Sequence, residues 1–229
     1  MGLILQIDTA TEHASICLSS NGISLLSKVS TDQKNHGSFL QPAILELMAE
    51  YGQQLSDLDA IAVSEGPGSY TGLRVGLASA KGLCYALEKP LIMINTLKII
   101  AVSAIKSIGE SQNAHLYVPM IDARRMEVFT ATYDSNLNTV SAPNAKVLDE
   151  SSFQSILNEK SIVFSGSGTI KFNSICHHPN ALFTNVQHQS EDMSELAFNA
   201  LEKKDFANLA YSEPYYLKSF YSPPQKKMT

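Results

Sequence analysis

Two apolar runs, each stopping at an aspartate, constrain this chain more than any other feature. Leu3-Ile4-Leu5-Gln6-Ile7 ends at Asp8, and His115 to Ile121 ends at Asp122. Short apolar runs closed by a polar residue read as buried strands. After Asp8, Ala14 to Ser19 reads as a second strand. Asn21-Gly22 supplies the two left-handed positions of a tight hairpin, and Ile23 to Val29 completes an antiparallel unit of three strands. After Asp122, Glu127 to Tyr133 is the matching second strand, and turn residues from Asp134 to Asn138 introduce a third. The repeated plan predicts an α/β protein of two similar halves, 1–100 and 101–229, each a mixed sheet flanked by helices.

The elements between these units fit that plan. A helix is expected from about Ser38 to Tyr51, with Leu40, Ile44, Leu47, Met48 and Tyr51 on its apolar stripe. Leu58 to Val63 reads as a strand that empties into a glycine-rich loop, and a helix follows from Thr71 to Leu87. Leu91 to Ile94 is another strand, after which Thr96 is expected to cap a helix running to Ile108. In the second half, a helix over Ser152 to Glu159 leads to the strand Ile162 to Phe164, and Met193 to Lys203 is helical. The tail from Tyr211 to Pro224 carries Tyr215-Tyr216-Leu217-Lys218 and Phe220-Tyr221. Aromatic residues tie a tail down, so this one is expected to pack back on the first half.

Composition narrows the function classes. Of the 229 residues, 44% are hydrophobic, enough for a proper core, and the net charge is −5. An acidic chain gains nothing from counterion release at phosphates, and no run of Lys and Arg marks a basic patch. The chain is therefore not expected to be a main nucleic-acid binder by itself. Cys17, Cys84 and Cys176 are dispersed, with neither a disulfide framework nor zinc spacing. The first apolar run breaks at Gln6 and Asp8, too short for a membrane span, and a cytoplasmic location is expected.

Four clusters bear on chemistry. Asp8-Thr9-Ala10-Thr11 sits where an Asp and small residues would meet phosphate, yet Ala10 and Glu12 fit phosphate poorly. Both a vestigial nucleotide cleft and a local turn stabilised by Asp and Thr side chains remain open. Asp122 holds the equivalent place in the second half, but Arg124, Arg125 and Met126 follow it. An Asp122–Arg pairing or a partner contact by an arginine is expected there. Gly166 and Gly168 complete the vestigial cleft set of Asp8, Thr9, Asp122, Gly166 and Gly168.

The segment Gly66-Pro67-Gly68-Ser69-Tyr70-Thr71-Gly72-Leu73-Arg74-Val75-Gly76 is the second distinctive feature. It lacks the Gly-Lys-Ser/Thr ending of a P-loop and the spacing of the dinucleotide fingerprint. Its glycines continue at helical spacing into Ala80 and Leu83. A helical Gly costs roughly 1 kcal/mol relative to Ala, so close packing must compensate. That packing is either within the chain or against another subunit. Docking is the preferred reading, with Gly72, Arg74, Val75, Gly76, Ser79, Ala80 and Leu83 as the interface. A large charged residue at Gly76 or Ala80 is then expected to block docking and spare the fold. No metal site is expected: His36 has no His four residues on, and the side chains of His177 and His178 point apart. No nucleophile motif is present either, and no catalytic residue or cofactor is assigned.

These segments resemble the TsaB (YeaZ) family. Ile7-Asp8-Thr9-Ala10, His36-Gly37-Ser38-Phe39-Leu40-Gln41-Pro42, Ile121-Asp122-Ala123-Arg124, Ser165-Gly166-Ser167-Gly168 and Pro214-Tyr215-Tyr216-Leu217 are similar to its motifs. Gly66 to Gly76 carries its signature in full. The resemblance implies an actin-like, sugar-kinase-like (ASKHA) fold with two ribonuclease H-like halves. It implies a non-catalytic paralogue of TsaD, the subunit that transfers threonylcarbamoyl to the adenosine next to the tRNA anticodon. Pairing with TsaD through first-half helices, a third subunit TsaE, and a homodimer in the partner's absence are implied in the same way. An ATP-dependent small-molecule kinase or a peptidase of the same superfamily is the alternative.

Overall fold

The computed structural model describes residues 2–31, 36–108 and 116–218. The first sheet is built around β1 (Leu3–Asp8), which pairs antiparallel with β2 (Ala14–Ser20) so that Asp8 faces Ser15. Asn21 and Gly22, at φ 50° and 82°, turn the chain into β3 (Ile23–Ser30), as a two-residue hairpin requires. On its other side β1 pairs in parallel with β4 (Ala60–Gly66), and β4 with β5 (Leu91–Asn95). The order is β3-β2-β1-β4-β5. The central strands β1 and β4 are covered on both faces, which is why they read as continuous apolar runs rather than alternating ones.

One face of this sheet is covered by α1 (His36–Tyr51) and α2 (Tyr70–Leu87). Leu40, Ile44, Leu47 and Met48 of α1 are buried there with Leu77, Ala80 and Cys84 of α2. Tyr51, expected on the same stripe, is exposed instead, at the last position of the helix.

The second sheet repeats the first strand for strand. It contains β6 (Leu116–Asp122), β7 (Glu127–Tyr133), β8 (Thr139–Val147), β9 (Ile162–Ser165) and β10 (Ala181–Phe183), in the order β8-β7-β6-β9-β10. Its helices α4 (Gln154–Leu157) and α5 (Thr169–Asn173) are short. Phe153, Phe164, Phe172 and Phe183 pack edge-on and stacked to fill the space that longer helices would occupy. Neither α5 nor β10 was expected, and α4 is shorter than the expected 152–159. Such brief elements carry too few residues to show a period.

The last helix of each half crosses to the other. Leu97, Ile100, Ala101 and Ala104 of α3 (Thr96–Ile108) pack against Tyr117, Ile121, Tyr133 and Val163 of the second sheet. Met193 and Ala197, at the start of α6 (Ser194–Lys203), pack against Ile4, Ala62 and Ile92 of the first. The helix that straddles residue 100 is thus an element shared by both halves. Its start also differs from expectation. Asn95, not Thr96, accepts the free amide of Leu97 (3.1 Å), while the Thr96 hydroxyl accepts from Gly66 (3.1 Å). Among the described residues no helix is long and apolar enough to cross a membrane. His115, Phe220, Tyr221 and the prolines at 223 and 224 lie outside the described residues.

Candidate functional site

The glycine-rich loop owes its composition to the hairpin beneath it. The Ser69 amide donates to the Ala10 carbonyl (2.7 Å), and the Ser69 hydroxyl caps α2 by accepting from Gly72 (3.2 Å). The Thr9 hydroxyl donates to the Gly72 carbonyl (2.7 Å). A Cβ at Gly68 would stand 2.2 Å from the Ala10 oxygen, and one at Gly72 2.1 Å from the Thr9 carbonyl oxygen. One at Gly76 would stand 2.3 Å from Thr9 Oγ1. Contact this close leaves no room for a side chain, so α2 lies directly on Asp8-Thr9-Ala10.

This bears on the expected docking face. Gly72, Gly76 and Ala80 are buried inside the chain's own core, where the two glycines make room for Thr9, just after β1. Of the expected interface residues, Arg74 is exposed, and Val75, Ser79 and Leu83 are half-buried. The outer stripe of α2 is Arg74, Ala78, Gly82, Tyr85 and Ala86. Nothing lies within 4 Å of where a Cβ at Gly82 would be.

Asp8, the expected phosphate-side carboxylate, is buried and has internal partners. Its Oδ1 accepts from the Ala10 amide (3.0 Å), and its Oδ2 lies 3.2 Å from His188 Nε2. That second contact is close enough for an ion pair but off the alignment of a hydrogen bond. Burial pushes the Asp8 carboxyl up. The His188 contact and charge, with the Ala10 amide, outweigh burial and hold it below the usual range. His188 arrives on the segment after β10, which is pinned where the Ser190 amide donates to Ser15 Oγ (2.8 Å). No motif surrounds His188, and its role depends on a contact 180 positions away in sequence, so local reading misses it.

The second half shows the same construction with different partners. Asp122 Oδ1 accepts from Lys171 Nζ (2.8 Å) and from the Arg124 amide (2.6 Å). The expected Asp122–Arg side-chain pair is therefore replaced by a lysine from α5. Lys171 also donates to the carbonyls of Arg125 (2.6 Å) and Glu127 (3.1 Å). Arg124 and Arg125 form the turn at φ 69° and 50°, with both side chains exposed.

Gly166 mirrors Gly66: both have positive φ, 89° and 116°. A Cβ at Gly166 would meet the Met120 oxygen at 2.6 Å, and one at Gly168 would meet Val128 and Met120 side chains within 2.8 Å. These glycines, like Gly68 and Gly72, permit close packing on a central hairpin.

The expected cleft residues do converge, though at different depths. A cavity of about 380 Å³ between the halves is lined by Thr11, Glu12, Gly166, Ser167, Thr169 and His188. A second, of about 730 Å³, continues past Thr11 and Ser167 to Ser69, Thr71, Asp122 and Arg124. Asp122 and Gly166 reach the walls, whereas Asp8, Thr9 and Gly168 lie buried behind them. His36 is buried singly, its Nε2 3.3 Å from the Thr11 carbonyl. Among the described residues no three His, Cys, Asp or Glu side chains group as metal ligands would.

Comparison with known proteins places this geometry. Residues 25–220 match the family model described as TsaD, tRNA N6-adenosine threonylcarbamoyltransferase. The Escherichia coli tRNA threonylcarbamoyladenosine biosynthesis protein TsaB is 34% identical over 137 residues, 60% of this chain and 57% of that protein. The matched segment thus spans little more than half of that relative. The Bacillus subtilis protein of the same name is 29% identical over 94% of this chain and 98% of its own length. The structure of YeaZ from Pseudomonas aeruginosa superimposes with a TM-score of 0.80 at 27% identity, over 95% of this chain and all of that one.

Proposed function

Since this chain belongs to the TsaB (YeaZ) family, we propose that it is a non-catalytic subunit that binds and activates a TsaD-type transferase in tRNA threonylcarbamoyladenosine biosynthesis. The observation that carries this reading is the outer face of α2. Its stripe of Ala78, Gly82 and Ala86 carries no charge and exposes Tyr85, whose ring is suited to an interface. A helix from a partner could approach Gly82 to near backbone contact. Arg74 marks the edge of that face, and Val75, Ser79 and Leu83 flank it.

The cleft supports a subunit role over an enzymatic one. Asp8 is balanced by His188, and Asp122 by Lys171. A general base or a metal-water ligand must be available to the reacting groups. Both carboxylates are already engaged by partners inside the chain, Asp8 by the Ala10 amide and His188 and Asp122 by Lys171. On this reading TsaE joins as a third subunit, tRNA is met only through the complex, and the free protein pairs with itself across the same face.

Light scattering of the protein alone and mixed with its cognate TsaD tests the proposal. A 1:1 mixed complex that displaces a homodimer is the expected outcome. No complex, together with nucleotide hydrolysis by the protein alone, would overturn it in favour of a kinase-like enzyme.

A further inference from the structure

The last described stretch of the chain, 206–218, runs from one half to the other along α2. It begins beside β5, where the Ala207 amide donates to the Leu91 carbonyl (2.8 Å). It then passes α2, where Lys81 Nζ donates to the carbonyls of Ala210 and Ser212 (both 3.2 Å). Farther on, the Tyr215 amide donates to the Glu65 carbonyl (2.7 Å). The Tyr215 carbonyl oxygen lies 2.6 Å from where a Cβ at Gly66 would be, so the segment occupies a slot that only glycine leaves open. Tyr216 packs on Tyr70, with ring centroids 5.3 Å apart, and its hydroxyl accepts from Arg74 Nε (3.1 Å). At the far end, Lys218 forms an ion pair with Glu127, the first residue of β7 in the other half.

Arg74 and Lys81 are the only charged side chains of α2, and both hold this segment. Its two ends differ in kind. The Ala207 end is fixed by main-chain pairing at a sheet edge. Among the described residues, what holds the Lys218 end is a partly exposed ion pair, which is worth little and is weakened by salt. A segment held firmly at one end, gripped along a helix and weakly clasped at the other end is built to transmit displacement.

We propose that residues 206–218 form a strap coupling the outer face of α2 to the separation of the two halves. Whatever shifts the strap on Arg74 and Lys81 also frees Lys218 from Glu127, beside the hairpin that carries Asp122. The reverse holds too, because coupling between two sites is reciprocal. Only the identity of the partner that loads α2 rests on the docking reading; the coupling belongs to the free protein.

Hydrogen exchange on the free full-length chain tests it. Glu127→Lys should speed exchange of the Tyr215 amide about two- to five-fold, the range an exposed pair commands. The Ala207 amide, upstream, should not change, which separates strap release from loss of the fold. Adding Lys218→Glu should restore Tyr215 protection. In the other direction, Lys81→Met should broaden the distance between spin labels placed at Ser69→Cys and Arg124→Cys, across the cleft. Unchanged Tyr215 exchange in Glu127→Lys, no rescue by the double reversal, or an unchanged label distance in Lys81→Met would each overturn the coupling. A failure of TsaD binding alters none of these readouts, so the two ideas fall separately.

Discussion

The hydroxyl of Thr9 stands 2.3 Å from the place a Cβ at Gly76 would take, while its proton is given to the Gly72 carbonyl one helical turn earlier. The first strand's hairpin and the signature helix are thereby keyed together by a single side chain. The small residues of α2 point two ways: Gly72, Gly76 and Ala80 inward, Ala78 and Gly82 outward.

Gly76 and Gly82 should therefore respond oppositely to the same change. Gly76→Ala forces a methyl group into Thr9 and should destabilise by about 1–3 kcal/mol, the usual cost of overpacking a tight core. Gly82→Ala meets open space in a helix interior and should stabilise by about 0.5–1 kcal/mol. Urea denaturation of the two variants beside the parent protein measures both. Equal and small effects would show that the hairpin yields.

Partner binding should follow the outward residues. Ala78→Arg should leave the urea midpoint within experimental spread and Gly82→Arg should raise it slightly, while both weaken TsaD binding at least ten-fold by calorimetry. Gly76→Arg or Ala80→Arg should instead fail to give folded protein, since both positions are buried. Retention of full affinity by Gly82→Arg would remove α2 from the interface.

The pairing of Asp8 with His188 gives stability a pH dependence of known sign. A carboxyl held below its unfolded value stabilises the native state above ordinary carboxylate pKa values, and loses that contribution as pH falls through the depressed one. Asp8→Asn should thus cost about 1–3 kcal/mol near pH 7, where it removes a buried carboxylate held by the Ala10 amide and the His188 contact. The gap to the parent should narrow steadily below about pH 4. Denaturation series at several pH values check this. A gap that widened in acid would mean that Asp8 is protonated in the native protein.

What was legible in the sequence follows from how local each cause is. The β1 and β6 runs, the Asn21-Gly22 hairpin and the Gly66–Gly76 loop each state their structure within about a dozen residues. Sequence periodicity shows that Gly72, Gly76 and Ala80 share a helix face, but not what that face meets. The answer, Thr9, is brought there by the parallel pairing of β1 with β4. His188 and Lys171 were invisible for the same reason: neither has a motif, and each acquires its role only when the second half closes on a distant carboxylate. Likewise, the crossing of α3 and α6 between halves depends on the repeat of the whole sheet. Nothing within either helix records it.

Lys171 is the sharpest test of the second hairpin. Its ammonium group supplies three bonds at once, to the Asp122 carboxylate and to the Arg125 and Glu127 carbonyls, from a side chain only 14% exposed. Lys171→Met keeps the length and apolar stem of the side chain and removes all three. Each lost charged hydrogen bond is worth about 1 kcal/mol, and the turn at Arg124–Arg125 holds two consecutive left-handed residues that need outside support. The expected result is a loss of about 2–3 kcal/mol in global stability, with faster hydrogen exchange at Glu127, whose amide closes the turn on Arg124. Lys171→Arg, which retains the charge but spreads its donors over a plane, should recover only part of the loss. Undiminished stability in Lys171→Met would mean that the hairpin is shaped by β6 and β7 alone, with Asp122 free to serve the cleft.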